Sequence, residues 1–256
     1  MKISIITTTV RPLGLPIIER SLKRQTLKDF EWIIVAPEKI HEEITKILTI
    51  PFTLLSDPPK NEGDFWTLCK AWNKGYAHAR GELIINVQDW IWLEPDTLER
   101  FWNHYQSNPK SIVSAVGDHY DQVDEKGRPM NTVWEDPRVK SKGFYLTDAN
   151  QIEMSVCSVP QQAVLDCGGV DEIYDTCNGV QEKEMCFRLM ALGYEMYIDE
   201  DIKYLALHHG RLTKNWDEIY WNVTAPLFQK HAHELITGTR TLNVNNILKY
   251  NKSVKT

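Results

Sequence analysis

The chain has 256 residues, 42% hydrophobic and 25% charged, a composition that excludes a disordered or fibrous protein. Its formal net charge of −6 argues against nucleic acid as the main partner, because phosphate binding needs a basic surface. No apolar run approaches the roughly 20 residues of a membrane span, and the chain starts with a strand pattern instead of a signal peptide. We therefore expect a cytoplasmic globular protein without a transmembrane segment.

The first half of the chain alternates between strand and helix patterns. Strands are predicted at residues 2–9, 30–36, 52–55 and 82–87, and helices at residues 15–26, 38–48, 65–79 and from Pro95 onward. The nearly continuous apolar run F-E-W-I-I-V-A at residues 30–36 is typical of a strand buried on both faces of a parallel sheet. The alternation predicts an α/β fold, with an open, mixed, mostly parallel sheet and helices on both faces.

The second half is less regular. Strands are predicted at residues 112–116, 155–159, 195–198 and 203–207, and helices after Pro160 and at residues 181–192 and 217–235. Between them, residues 117–150 are polar and too long for a simple connection, which we interpret as a binding loop. No repeat or linker composition divides the chain. We therefore predict one domain over residues 1–235 and a basic tail over residues 236–256. A solvated tail is favoured over one that folds over the donor site, docks a partner or contacts anionic lipid headgroups.

Five cysteines without a C-x-x-C pair argue against a zinc site or a disulfide scaffold, so we expect reduced, mostly buried thiols. Asp89 is the first candidate for chemistry, because it follows the strand at residues 82–87 at the sheet edge where ligands bind. A carboxylate there is costly to bury unless it is paired or bound to a metal. Asp89 is therefore predicted either to hold Mg²⁺ or Mn²⁺ against a phosphate or to cap the next turn.

Two glutamates open the predicted helix at residues 181–192. Glu182 shares a face with the apolar residues three, four and seven positions further on, and burial there raises the pKa of a carboxyl toward that of a general base. A first-turn acid stabilised by the helix dipole is the alternative. Glu184 lies four residues before Arg188, the favourable order for an ion pair, so its structural role is favoured.

Two further segments carry polar groups after strands. His208 and His209 follow the last predicted strand, where a structural role competes with metal binding, and Arg211 is available for a phosphate. Thr7, Thr8, Thr9 and Arg11 lie at the end of the first strand, where they could meet a nucleotide. The glycine-rich pattern of a dinucleotide fold or a P-loop is missing there.

Several short motifs together resemble the family 2 glycosyltransferases of the GT-A fold. They are I-S-I-I-T at residues 3–7, S-L-K-R-Q-T at 21–26, F-E-W-I-I-V at 30–35, A-W-N-K-G at 71–75, A-R-G-E-L-I at 79–84, L-E-P-D-T-L-E at 93–99, G-G-V-D-E at 168–172 and Q-E-K-E-M-C-F-R-L at 181–189. Each motif is weak alone. Their order and spacing over about residues 2–211 are specific.

The resemblance implies transfer of a sugar from a nucleotide-diphosphate donor, by family default a UDP-sugar, to a glycan or other hydroxyl acceptor. The reaction usually inverts the anomeric centre and uses Mn²⁺ or Mg²⁺. It implies a nucleotide-sugar-binding half at residues 1–110 and an acceptor and catalytic half at residues 111–211. A GT-A (Rossmann-like) domain is therefore expected.

The resemblance also assigns roles to individual residues. Glu182 is expected to be the general base, and Asp89 a metal ligand together with His208 or His209. The residues assigned to the donor are Thr7, Thr8, Thr9, Arg11, Asn73, Gln88, Asp89 and Arg211. Those assigned to the acceptor are Trp90 and Glu184.

Three departures from the family pattern leave an alternative open. The D-x-D motif is reduced to Q-D-W at residues 88–90, V-A-P-E-K at residues 35–39 replaces V-D-D-G-S, and Gln181-Glu182 replaces E-D. The alternative is a catalytically inactive GT-A-fold protein that binds a nucleotide sugar or glycan. The carboxylate of Glu182 on a buried helix face favours the enzyme, because a site without turnover does not need it.

Overall fold

The structure, a computed structural model, describes residues 1–124, 128–207 and 216–250. The strands in these residues are β1 (Ile3–Thr8), β2 (Phe30–Ala36), β3 (Thr53–Ser56), β4 (Leu83–Val87), β5 (Ile91–Leu93), β6 (Ser111–Val123), β7 (Pro129–Trp134), β8 (Phe144–Thr147), β9 (Val156–Pro160) and β10 (Glu195–Leu207). The α-helices are α1 (Leu15–Lys23), α2 (His41–Ile47), α3 (Leu68–His78), α4 (Thr97–Ser107), α5 (Gln161–Cys167), α6 (Gln181–Ala191), α7 (Trp216–Ile219) and α8 (Ala225–Ile236).

The strands form one sheet in the order β3-β2-β1-β4-β9-β6-β10-β5, with β7 added to β6 and β8 to β10. Strands β1 to β4 are parallel, and β6 and β10 run in the same direction because β9 is antiparallel to both β4 and β6. The α/β fold with a mixed, mostly parallel sheet is therefore confirmed. The carboxyl ends of β1, β3 and β4 meet at one edge, which is where open α/β sheets bind ligands.

Both faces of the sheet are covered. Ile3 and Ile5 of β1 pack with α1, α2 and α4, whereas Ile6 packs with α3, α5 and α6 on the opposite face. Successive side chains of a strand point to opposite faces, so a strand between two helix layers is apolar at nearly every position. This explains the continuous apolar runs of β2 and β4.

The interpretation of residues 117–150 as a loop was wrong. Strand β6 continues to Val123 and pairs with β7, and β8 pairs with β10. Most of β7 is exposed, so its side chains show no apolar alternation that the sequence could reveal. The two strands predicted at residues 195–198 and 203–207 are one strand, β10, with a register shift between Asp199 and Lys203.

The expectation of a solvated tail was also wrong for its described part. The backbone N–H groups of Val244 and Asn246 donate to the carbonyls of Cys167 and Gly168, at 3.0 and 2.9 Å. Ile247 is buried in the core beside α3. The domain boundary at residue 235 stays a prediction.

All five cysteines are free and buried, as expected. None of the helices in the described ranges is long and apolar enough to cross a membrane.

Candidate active site

A cavity of about 360 Å³ opens at the carboxyl ends of β1, β3 and β4. The residues that line it come from these strand ends, from the start of α3 and from the start of α6. They are Thr8, Thr9, Val10, Arg11, Val35, Asp57, Trp66, Thr67, Leu68, Ala71, Gln88, Asp89, Gly179, Gln181 and Glu182. The structure therefore brings Glu182 and five of the residues assigned to the donor, Thr8, Thr9, Arg11, Gln88 and Asp89, to one space.

Asp89 is held by the loop that follows β1. Arg11 donates from Nη2 to Oδ1 of Asp89 at 2.8 Å and from Nε to Oδ2 at 3.1 Å. The Thr9 hydroxyl donates to Oδ2 at 2.9 Å and accepts the backbone N–H of Arg11, also at 2.9 Å. The Arg11 side chain is 23% exposed and that of Asp89 9%. A paired, two-point contact of this kind is stronger and more directional than an ordinary hydrogen bond.

Glu182 lies in the first turn of α6, directly after a strained piece of backbone. Val180 has φ 60°, a left-handed conformation that a β-branched side chain rarely adopts, and Gly179 before it has φ 87°. The Oε2 atom of Glu182 is buried and has no hydrogen-bond partner among the described residues. Burial raises the pKa of Glu182 above its ordinary value of 4.5, and the Glu153 carboxylate adds to this increase. A carboxylate in this state is suited to accept a proton.

Sequence reasoning missed two residues of the cavity, Asp57 and Trp66. Asp57 follows β3, and the Thr67 hydroxyl donates to its Oδ2 at 2.5 Å, whereas its Oδ1 is buried without a partner among the described residues. Burial raises the pKa of Asp57, although Thr67 and nearby lysines such as Lys74 act against this. The sequence could have indicated Asp57, because it directly follows a strand of the parallel sheet, as Asp89 follows β4.

Trp66 lines the same cavity, and its indole Nε1 donates to the carbonyl of Tyr174 at 3.3 Å. The backbone N–H groups of Phe65 and Trp66 both donate to the carbonyl of Asp175, which fixes the segment before α3. A fixed indole face is suited to stack a planar or sugar ring.

A second cavity of about 230 Å³ adjoins the first, because Gln88 and Asp89 line both. Its other lining includes His119 and Tyr204 from the two long strands and Glu153 before β9. The His119 ring lies 4.7 Å from the ring of Trp134.

Four predicted site residues lie elsewhere. Thr7 is fully buried, and its hydroxyl accepts the indole N–H of Trp32 at 3.0 Å, so it belongs to the core of the sheet. Asn73 is also fully buried, where it donates to the Val170 carbonyl at 2.9 Å and accepts the Val170 N–H at 2.8 Å. The assignment of these two side chains to the donor is therefore corrected to a structural role.

The two residues assigned to the acceptor are corrected as well. Trp90 lines neither cavity and packs on Gly14, where an added Cβ would lie 2.8 Å from the indole ring. Glu184 is 1% exposed and accepts two hydrogen bonds from Arg188, at 2.9 and 3.0 Å, and two from Arg240, at 2.8 and 3.2 Å. The predicted ion pair with Arg188 is confirmed, and it turns Glu184 away from the cavity. His208, His209 and Arg211 lie outside the described residues.

The family that the sequence motifs resemble typically uses a divalent metal, and the described donors around Asp89 do not fit one. Both oxygens of Asp89 are bound by Arg11, and position 88 carries an uncharged glutamine. Within the described ranges, one group of three acidic or histidine side chains is close enough to share an ion, Asp171, Glu184 and His231. Arg240 already occupies it through ion pairs with Asp171 and Glu184.

The chain is similar to known proteins in one segment of its sequence and in its fold. Residues 59–169 match the family model described as Glycosyl transferase family 2. Two solved structures of TarS 1-349 from S. aureus share the fold. One gives a TM-score of 0.56 at 15% identity, covering 81% of this chain and 60% of TarS. The other, in complex with UDP, gives 0.55 at 16% identity, covering 81% and 61%.

The chain spans about three fifths of the length of these TarS structures. No curated protein matches it significantly. The fold is that of TarS, with the carboxyl edge of the sheet open to a cavity. The resemblance to glycosyl transferase family 2 is therefore supported over residues 59–169, which are similar to that family.

Proposed function

We propose that the chain is a glycosyltransferase that moves a sugar from a nucleotide-diphosphate donor to a hydroxyl group, with Glu182 as general base. The observation that carries the proposal is the unpartnered Oε2 of Glu182 in the cavity that also holds the Arg11–Asp89 pair. A proton acceptor and a fixed cation are the two groups that displacement of a diphosphate by a hydroxyl requires.

The donor is proposed to lie in the larger cavity, with its nucleoside toward Asp57 and Trp66. The unpartnered Oδ1 of Asp57 is suited to accept a base N–H, and the Trp66 indole offers an aromatic face. A uracil base carries such an N–H, and TarS of the same fold is known in complex with UDP. We therefore favour a UDP-sugar as donor.

The acceptor is proposed to enter from the second cavity, where Glu153 and His119 line the approach. Its hydroxyl gives its proton to Glu182 as its oxygen forms a bond to the anomeric carbon. The bond from that carbon to the diphosphate breaks on the opposite face, so the configuration inverts. The leaving diphosphate takes the electron pair, and Arg11 offsets the charge that develops on it.

A protein that binds a nucleotide sugar without turnover remains the alternative. An unpartnered carboxylate at a buried position costs stability, and a role in turnover gives a reason for that cost, which supports the enzyme. Metal ligation by His208 or His209 and the cytoplasmic location stay predictions.

The test is release of nucleotide from a panel of nucleotide sugars, with water or added hydroxyl compounds as acceptor. Glu182→Gln should lower the rate by about 10²-fold or more, as expected for loss of a general base. The same variant should keep the thermal shift that UDP produces, because binding to the folded state raises its apparent stability. Turnover by Glu182→Gln at the parental rate would contradict the role of Glu182.

A further inference from the structure

We infer that Arg11, oriented by Asp89, takes the place of a divalent cation in this chain, so that the donor diphosphate is bound without metal. The inference rests on the proposed function and adds a property to it. The juxtaposition that carries it is the two-point contact between the guanidinium and the carboxylate at the end of β4.

The first step concerns the carboxylate. Asp89 accepts three hydrogen bonds, two from Arg11 and one from the Thr9 hydroxyl, and its side chain is only 9% exposed. A metal ion at Asp89 would have to displace the guanidinium and would then lie beside a like charge. The pair therefore competes directly with a divalent cation.

The second step concerns the other donors. Mg²⁺ and Mn²⁺ prefer several hard oxygen ligands, with carboxylates supplying the charge. Position 88 is a glutamine whose Oε1 accepts a bond from Ser155 at 3.4 Å, and Asp89 is the carboxylate at this strand end. Asp57, Asp89 and Glu182 all line this cavity, but in the part of the chain that the structure describes, no three acidic or histidine side chains there are close enough together to share one ion.

The third step concerns the cation that is present. Arg11 lines the larger cavity with 23% of its side chain exposed, so a ligand there meets a guanidinium. The fork of N–H groups in a guanidinium matches phosphate oxygens and stays charged at every working pH. Asp89 and Thr9 act as positioning residues, because Asp89 fixes the plane of the guanidinium and the Thr9 hydroxyl holds both the Asp89 carboxylate and the backbone N–H of Arg11.

The test is calorimetric titration of UDP into the full chain, once with Mn²⁺ and once with EDTA. The two dissociation constants should agree within about twofold, since each 1.4 kcal/mol of metal contribution would change them tenfold. Titration of Mn²⁺ alone should give no binding heat. Binding of UDP that requires Mn²⁺ would overturn the inference and leave the proposed function intact. No binding of UDP under either condition would overturn the proposed donor and the inference with it.

Variants of Arg11 test whether this side chain binds the diphosphate. In EDTA, Arg11→Ala should weaken UDP binding about tenfold or more, as for loss of a charged hydrogen bond, and Arg11→Lys should weaken it less. Uridine lacks the diphosphate, so its affinity should be the same in the wild type and in Arg11→Ala. Arg20→Ala removes an exposed arginine of α1 outside the cavity and should bind UDP like the wild type. Equal UDP affinity of a folded Arg11→Ala and Arg20→Ala would overturn the inference.

Discussion

Glu182 differs from its neighbour Glu184 through surroundings alone. The two side chains are two residues apart in the first turn of α6. Glu184 forms ion pairs with Arg188 and Arg240, whereas Glu182 lines the cavity. Unpaired burial raises the pKa of Glu182, so the carboxyl is protonated at a higher pH than an ordinary glutamate. A raised pKa is the property that the proposed general base needs.

The acid limb of the pH–rate profile follows from this. The base acts when deprotonated, so activity falls as pH drops through the pKa of Glu182. Because that pKa is raised, the acid limb of kcat/KM should lie above 4.5, the ordinary value of a glutamate. Initial rates of nucleotide release between pH 4 and 8 measure it. An acid limb of kcat/KM at or below pH 4.5 would contradict the raised pKa of Glu182.

Stability should depend on pH with the matching sign. A carboxyl whose pKa is raised on folding stabilises the fold fully below its unfolded pKa, and that contribution is lost as pH rises through the folded pKa. Glu182→Gln removes the buried charge and should melt at a higher temperature than the wild type at pH 7. The difference should shrink as pH falls below 4.5. A variant that melts below the wild type at pH 7 would contradict unpaired burial of Glu182.

At the scale of the element, α3 shows why the ends of a helix cannot be predicted from local sequence alone. Its apolar periodicity starts at Phe65, but the helix begins at Leu68. Asp175, more than one hundred residues away, accepts the N–H groups of Cys69 and Lys70 at 2.8 and 3.1 Å. The cap that sets the start is supplied by tertiary contact, whereas β2, with its own apolar run, was predicted to the residue.

The cap gives a prediction for stability. Asp175→Ala leaves two helix N–H groups without an acceptor and should lower the free energy of unfolding by about 2 kcal/mol. Equilibrium unfolding in urea measures the change. Asp29→Ala, at an exposed aspartate, is the control and should stay within about 0.5 kcal/mol of the wild type. Equal stability of the two variants would show that the cap contributes nothing.

At the scale of the whole molecule, the C-terminal segment is attached to the helix that carries Glu182. Arg240 binds Glu184 and Asp171, and the Leu242 carbonyl accepts a bond from Arg188 at 3.1 Å. The sequence predicted neither contact, because basic composition near a terminus is typical of a solvated tail. The acids that hold Arg240 lie more than fifty residues earlier, where no local pattern connects them to it.

Loss of this attachment should be measurable. Arg240→Ala removes ion pairs to largely buried carboxylates and should destabilise the protein by about 2 kcal/mol, since Glu184 keeps its bonds to Arg188. Lys230→Ala breaks an exposed pair with Glu234 at 3.8 Å and should change stability by less than about 0.5 kcal/mol. Urea unfolding compares them. A smaller loss for Arg240→Ala than for Lys230→Ala would contradict the docked segment.

The sequence correctly predicted that Asp89 and Glu182 lie in one cavity at the carboxyl edge of the sheet. This was possible because the ends of strands and the faces of helices follow from local periodicity. It missed Asp57 and Trp66. It also assigned four residues to the donor or acceptor that lie outside the cavity: Thr7, Asn73, Trp90 and Glu184. Hydrogen bonding across the fold decides which polar side chain faces a cavity and which is used in the core, and one sequence does not show that bonding.

The most direct measurement is a crystal structure of the chain with UDP, grown with Mn²⁺ present. The account predicts UDP in the cavity between Asp57 and Glu182, with its phosphates against Arg11 and with Arg11 still bound to Asp89. UDP at another surface, or a metal ion on Asp89 with Arg11 displaced, would contradict it.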